Sequence, residues 1–193
     1  AWAGWVECLA GQAEVAERRD LVERAADLLR SALRSGRAHL QAESGGAPEG
    51  ARLWACGWRK DDSQFGDIRP GGEAVGWVTD DGSRVWLDPG AAFSAMERQA
   101  RGESDPLGVT ARALVKALMA ARDRDGMPIL STERVAGRTT PAPQVRRRAA
   151  GVRQRVWELP WSWLWPDDVD DDGPAGEGGP AGGRPQGPDD RTP

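Results

Sequence analysis

The sequence predicts an α+β fold: a small antiparallel sheet carrying two consecutive helices, with a long amphipathic helix before it and a disordered acidic tail after it. Three observations point there. Two apolar runs, Val75-Gly76-Trp77-Val78-Thr79 and Arg84-Val85-Trp86-Leu87, meet at the turn Asp80-Asp81-Gly82, the pattern of a β-hairpin. Directly after it, Asp88-Pro89 offers an N-cap and a first-turn proline for a helix over 91–101, and Thr110 caps a second helix reaching about Arg122. Upstream, Val15, Val22, Ala25, Leu29, Ala32 and Leu33 recur at three- and four-residue spacing across 14–35.

Taken in order, the chain opens at Ala1 inside Ala1-Trp2-Ala3-Gly4-Trp5-Val6, which reads as an already structured segment. Residues 1–12 are therefore expected to be the end of an upstream domain or a linker, in a processed protein or a piece of a longer one. Residues 13–42 hold the amphipathic helix, ended by Gly36 as a left-handed cap, and a short strand through Ala38-His39-Leu40. That helix reads as core-facing, with a dimerising coiled coil as the alternative. A Gly/Pro/Ser loop over 43–50 leads to Leu53-Trp54-Ala55-Cys56-Gly57-Trp58-Arg59, read as an apolar strand with a glycine bulge.

The segment 51–165 is expected to be a winged-helix-like domain. Within it Trp54, Trp58, Trp77 and Trp86 are expected to pack together. In the helix after Thr110, Ala111, Leu114, Ala117, Leu118 and Ala121 share one side while Arg112 and Lys116 point the other way. Next come a strand at Ile129-Leu130-Ser131-Thr132, an irregular basic excursion over 135–148 and a strand over 152–159, which together make a wing. Trp161, Trp163 and Trp165 alternate and, if extended, share a face that closes the core beneath the N-terminal helix; a docking patch is the alternative. Beyond Pro166 the composition is Gly, Pro and Asp with almost nothing apolar, so 166–193 reads as disordered.

Charge is distributed unevenly. The formal net charge is −4, but 166–193 holds eight carboxylates against two arginines, so the first 165 residues carry +2. Between Thr110 and Leu159 eleven basic side chains face four acidic ones. Arg138, Arg146, Arg147, Arg148, Arg153 and Arg155 fall within eighteen residues with no acid among them. Phosphates would neutralise such a cluster and release counterions; the plainer alternative is a solvated basic loop. The run Asp167 to Asp172 is placed by its charge to compete with nucleic acid for these arginines.

Several chemistries find no residues here. Neither Lys60 nor Lys116 follows a glycine, so there is no Walker A loop, and G-x-S-x-G and H-E-x-x-H are absent. His39 is the only histidine, and Cys8 and Cys56 are the only thiols, too few for a metal cluster or a disulfide framework. No catalytic residue, metal or cofactor is assigned, and the chain by itself is not expected to be an enzyme. No apolar run approaches the roughly 20 residues of a membrane span, so a cytoplasmic protein without membrane contact is expected.

The order of Ser35-Gly36-Arg37-Ala38-His39-Leu40, Trp54 to Trp58, Val75-Gly76-Trp77-Val78, Val85-Trp86-Leu87-Asp88-Pro89, Ala91-Ala92-Phe93 and Val109-Thr110-Ala111-Arg112-Ala113-Leu114-Val115-Lys116-Ala117-Leu118 resembles the C-terminal region of phage- and plasmid-type primase-helicase proteins. The resemblance covers about 13–159. It implies a winged-helix-like end that engages DNA, behind a helicase-like ATPase domain of the same polypeptide. The chain departs from the family's order at Asp123 to Pro128 and at the prolines of Thr139 to Pro143. The expected function is thus a nucleic-acid-binding module of a mobile-element replication protein, acting through a helix-turn-helix and an arginine-rich wing. The expected contacts are Thr110, Arg112, Lys116, Arg138, Arg146, Arg147, Arg148, Arg153 and Arg155. Two other readings stay open: a non-catalytic module that docks on an ATPase neighbour or a second copy, and a free-standing winged-helix transcription regulator.

Overall fold

A computed structural model of the chain describes residues 2–50, 52–60, 67–137 and 139–166, with side chains from residue 16 onward. The acidic tail beyond Pro166 and Arg138 lie outside the described residues. The architecture is mixed α+β, built from α1 (Trp2–Arg34), β1 (Ala38–Ala42), α2 (Arg52–Ala55), β2 (Trp58–Lys60), β3 (Ile68–Pro70), β4 (Glu73–Val78), β5 (Arg84–Leu87), α3 (Pro89–Gly102), α4 (Ala111–Ala120), β6 (Val145–Ala149), β7 (Val152–Pro160) and α5 (Trp161–Leu164). A five-stranded sheet runs in the order β1-β4-β5-β7-β6, and β2 and β3 form a separate two-stranded sheet. Strand β1 lies parallel to β4; the other pairs are antiparallel.

The core lies between one face of the large sheet and the helices. Val22, Ala25, Leu28, Leu29, Ala32 and Leu33 of α1 are buried, and α3 and α4 both pack against that stripe. Val78, Val85, Leu87, Trp157 and Leu159 meet it from the sheet. At the end of α1 the Arg59 guanidinium donates to the carbonyls of Leu33, at 3.0 Å, and Arg34. These are acceptors that a helix terminus leaves without intrahelical partners. The caps expected of the next two helices are present: Asp88 accepts from the Ala91 amide at 2.8 Å and Thr110 from that of Ala113 at 3.3 Å.

The hairpin at Asp80-Asp81-Gly82 forms as expected, with Trp77 opposite Trp86 and Val78 opposite Val85. Asp81 organises its turn by accepting from the Thr79 hydroxyl at 2.6 Å and the Ser83 amide at 2.9 Å.

Four expectations are corrected. The long helix begins at Trp2 rather than Glu14; Gly4 and Gly11, each costing about 1 kcal/mol relative to alanine in a helix, weaken its signal there. The apolar run over 53–59 is not one strand, since Arg52–Ala55 form a helical turn closed by the Cys56 amide on the Arg52 carbonyl at 2.8 Å. Gly57, at φ +83, then turns the chain so that only Trp58 to Lys60 are extended. Residues 129–132 make no strand either. Ile129 and Leu130 are both buried, so they lack the alternation of a ladder, and one rung, from the Ser131 amide to the Glu158 carbonyl at 2.9 Å, joins them to β7.

The fourth correction concerns tryptophans. Trp54, Trp58, Trp77 and Trp86 do not form one cluster: Trp54 is 40% exposed, Trp58 enters the main core, and Trp77 and Trp86 lie with Val145, Ala149 and Val156 across the sheet. Parity on β5 puts Trp86, opposite Trp77 on β4, on the face away from Val85 and Leu87. Trp161 and Trp165 are buried in the main core and Trp163 packs at its edge, as the core reading expected, but from a helical turn rather than an extended run.

Gly57→Ala and Gly137→Ala separate steric closeness from backbone strain. Both glycines have positive φ, but a Cβ at Gly57 would lie 2.2 Å from the Ala38 carbonyl oxygen while Gly137 faces open space. Gly137→Ala is expected to cost about 1 kcal/mol and Gly57→Ala about 3 kcal/mol in urea unfolding. A second prediction concerns pH. The Thr79 hydroxyl, followed by the amide and hydroxyl of Ser83, holds the Asp81 carboxyl down to about 2. A carboxyl lowered on folding stabilises the fold above its unfolded value of about 3.9 and loses that effect as pH falls toward 2. Asp81→Ala should therefore melt below the parent protein at pH 6, and the gap should narrow steadily between pH 4 and pH 2.

Candidate nucleic-acid interface

Strands β6 and β7 form a hairpin whose register decides what each arginine can do. Val145 pairs with Val156, Arg146 with Arg155, Arg147 with Gln154, Arg148 with Arg153 and Ala149 with Val152. Residues directly opposite share a face, and successive residues alternate between faces. Arg146, Arg148, Arg153 and Arg155 therefore stand together on one face, and all four are exposed. Arg148 Nε donates to the Gly151 carbonyl at 3.2 Å, and none of the four makes an ion pair with a carboxylate among the described residues. Like charges directly opposite each other on neighbouring strands destabilise the pair.

Arg147 belongs to the other face. Its Nε donates to Glu158 Oε2 at 2.5 Å, and its guanidinium lies 6.0 Å from the centroid of the Trp86 ring. Glu158, with its side chain 10% exposed, also accepts from the Ser131 hydroxyl at 3.1 Å. Arg147 is thus paired with Glu158 and stands on the opposite face from the other four. The charge-paired network also ties the hairpin to the 129–132 segment. Glu158 and Ser131 were not legible as its members: they come from two segments joined by a single rung, and nothing local in sequence sets that rung. The arginines of 146–148 lie on a regular strand, not in the irregular excursion expected over 135–148.

The four-arginine face is turned toward the helical layer. Trp157 and Leu159 of β7 enter the core beneath the helices, and Arg153 and Arg155 continue the same parity toward the hairpin tip. In α4, Leu114, Ala117 and Leu118 are buried, and Arg112 and Lys116 are exposed one turn apart, as expected. Thr110, besides capping α4, lines the groove into which these two cations project. The opposite wall is Thr139 to Pro143, Val115 and Met119 complete the lining, and the volume is about 1040 Å³. That wall was missed from sequence because its prolines and threonines read only as an interruption. Pro143 lies three residues before Arg146, so the groove and the arginine face adjoin along the chain.

A second groove, of about 920 Å³, lies between α1, the end of α4 and α5. Its lining mixes arginines with Glu23, Asp27, Asp123 and Asp125 over an apolar floor that includes Val22 and Ala26.

The other singled-out residues are structural. His39 is buried, its Nδ1 2.9 Å from the Gly71 carbonyl and its ring edge-on to Trp58. Burial pushes the Cys56 thiol up to about 12, which leaves it an inert core residue at neutral pH. Among the described residues no group of three or more His, Cys, Asp or Glu side chains is placed to hold a metal, and no helix is long and apolar enough to cross a membrane. Compared with protein-family models, with curated proteins and with solved structures, the chain matches none.

Glu158→Ala is expected to lower the unfolding free energy by about 2 kcal/mol, because it strands Arg147 and Ser131; the discount from a fully buried pair reflects the exposure of Arg147. Arg148→Ala should stay within about 0.5 kcal/mol of the parent protein in the same urea titration.

Proposed function

We propose that this chain is a nucleic-acid-binding module in which α4 and the β6–β7 hairpin supply the contact surface. The observation that carries the reading is the four-arginine face. Four guanidiniums held rung against rung, without a carboxylate partner among the described residues, make a surface that an incoming polyanion stabilises. Arg112 and Lys116 extend the same sign of charge across the neighbouring helix. Thr110 joins them at the rim of the groove.

What supports a winged-helix-like description is the order of elements. After α1 and the intervening β1, α2, β2, β3 and β4 come strand β5, helices α3 and α4, and strands β6 and β7, with β7 between β5 and β6. The tight turn at Ala150-Gly151 is then the tip of the wing. Strands β1 and β4 extend the sheet on the far side of β5. The resemblance to the end of primase-helicase proteins supplies the replicative setting of the proposal, with an ATPase domain of the same polypeptide as the neighbour. A second reading has one observation in its favour: the apolar floor of the groove along α1 suits a protein partner, whether an ATPase domain or a second copy of this chain.

Fluorescence anisotropy with labelled DNA across a potassium chloride series tests the first reading. Affinity should fall linearly on a log–log plot, and Arg146→Ala, Arg148→Ala, Arg153→Ala and Arg155→Ala should each reduce the slope by about 0.7–0.9. Arg147→Ala should leave the slope unchanged, because that guanidinium is paired with Glu158. A flat salt dependence together with dimers in light scattering would favour the docking module instead.

A further inference from the structure

We propose that the groove between α4 and the Thr139–Pro143 segment takes a single polynucleotide strand, held by its phosphates, and that α4 does not enter the major groove of a duplex. The proposal rests on the nucleic-acid reading above and names the strand class for that surface. Its first support is dimensional. An α-helix with its side chains is about 10–12 Å across, and the major groove of B-form DNA is about 12 Å wide. A recognition helix therefore needs its exposed flanks clear. Here Thr139 to Pro143 stands as a second wall beside the flank that carries Arg112 and Lys116, and helix plus wall are wider than the groove they would enter.

The second support is the chemistry of the lining. Arg112 and Lys116, one turn apart, face a wall bearing the Thr139 and Thr140 hydroxyls, and Val115 and Met119 complete the lining. None of the described lining residues is a carboxylate. The other groove, of similar size, has four. Size alone does not distinguish the two; charge does. Adjacency along the chain is the third support, since Pro143 on the groove wall lies three residues before Arg146, where the four-arginine face begins.

Among the described residues no aromatic side chain lines the groove, so they offer no platform on which bases stack. Recognition there is of the phosphodiester backbone, tolerant of sequence, and its salt slope should follow the single-strand value of about 0.7 per phosphate contacted.

The test uses the full chain with two labelled probes of equal length, an oligothymidylate and a duplex. The single strand should bind more tightly. Arg112→Ala/Lys116→Ala should weaken the single strand about tenfold and the duplex by less than about twofold. Arg112→Gln/Lys116→Gln, which keeps side-chain length, should reproduce that pattern, and Arg148→Ala/Arg153→Ala should weaken both probes. Tighter binding to the duplex, equal losses on the two probes, or no loss on the single strand overturns the strand assignment. A parent protein that binds neither probe in a salt-dependent way overturns the nucleic-acid reading itself.

Discussion

Burial of one stripe of α1 is the constraint on which the rest of this structure depends. Leu28, Leu29 and Leu33 have 0% exposure, and they lose it to partners from every layer: α3 and α4 alongside, the sheet beneath, and α5 after β7. Each such side chain contributes about 1.5–3 kcal/mol when fully removed from water. Polar groups hold the helix in place around that stripe. Gln99 on α3, itself buried, donates to the Ser31 hydroxyl at 2.8 Å, and Arg24 reaches Glu103 at 3.0 Å. The two helices after the hairpin owe their placement to this common support, because each packs on α1 more extensively than on the other.

The sheet converts that support into a charged outer surface. Strand β7 changes role along its length: Trp157 and Leu159 are core, while Arg153 and Arg155 on the same parity stand clear of it. A single strand thus anchors the hairpin inside the protein and presents its charge outside. Glu158 sits at the changeover and holds Arg147 and Ser131 on the opposite face. Five guanidiniums within ten residues, at 146–148, 153 and 155, are divided by register into four that face outward together and one that braces the hairpin. Counting them as one basic patch would overstate the charge available to a partner and miss the residue that keeps the patch in place.

The wall over 139–143 bears equally on function. A helix with outward cations invites the expectation that it inserts into a duplex, yet its surroundings decide what can reach those cations. Proline-bordered backbone beside α4 leaves a slot in place of a convex ridge. The proposed preference for a single strand follows from that shape, and the sign of charge follows from the lining.

Much of the fold was legible in the chain. The hairpin at Asp80-Asp81-Gly82, the caps at Asp88 and Thr110 and the stripe of α1 are local: turn chemistry, capping and 3.6-residue periodicity are written within a few neighbouring residues. The inward leucines and outward cations of α4 follow from the same periodicity. The misreadings came where apolar residues run together without a period, at 53–59 and 129–130, since hydrophobicity alone does not distinguish a buried turn from a strand. The sequence determined by itself that six arginines lie within eighteen residues near the C-terminal strands with no acid among them. Only the tertiary structure decided which arginines share a face, that Arg147 answers to Glu158, that Trp58 enters the main core while Trp77 and Trp86 lie across the sheet, and that α4 is walled. Those outcomes depend on strand register and on contacts between segments distant in sequence, where a shift of one residue reverses every side chain and no local signal records the choice.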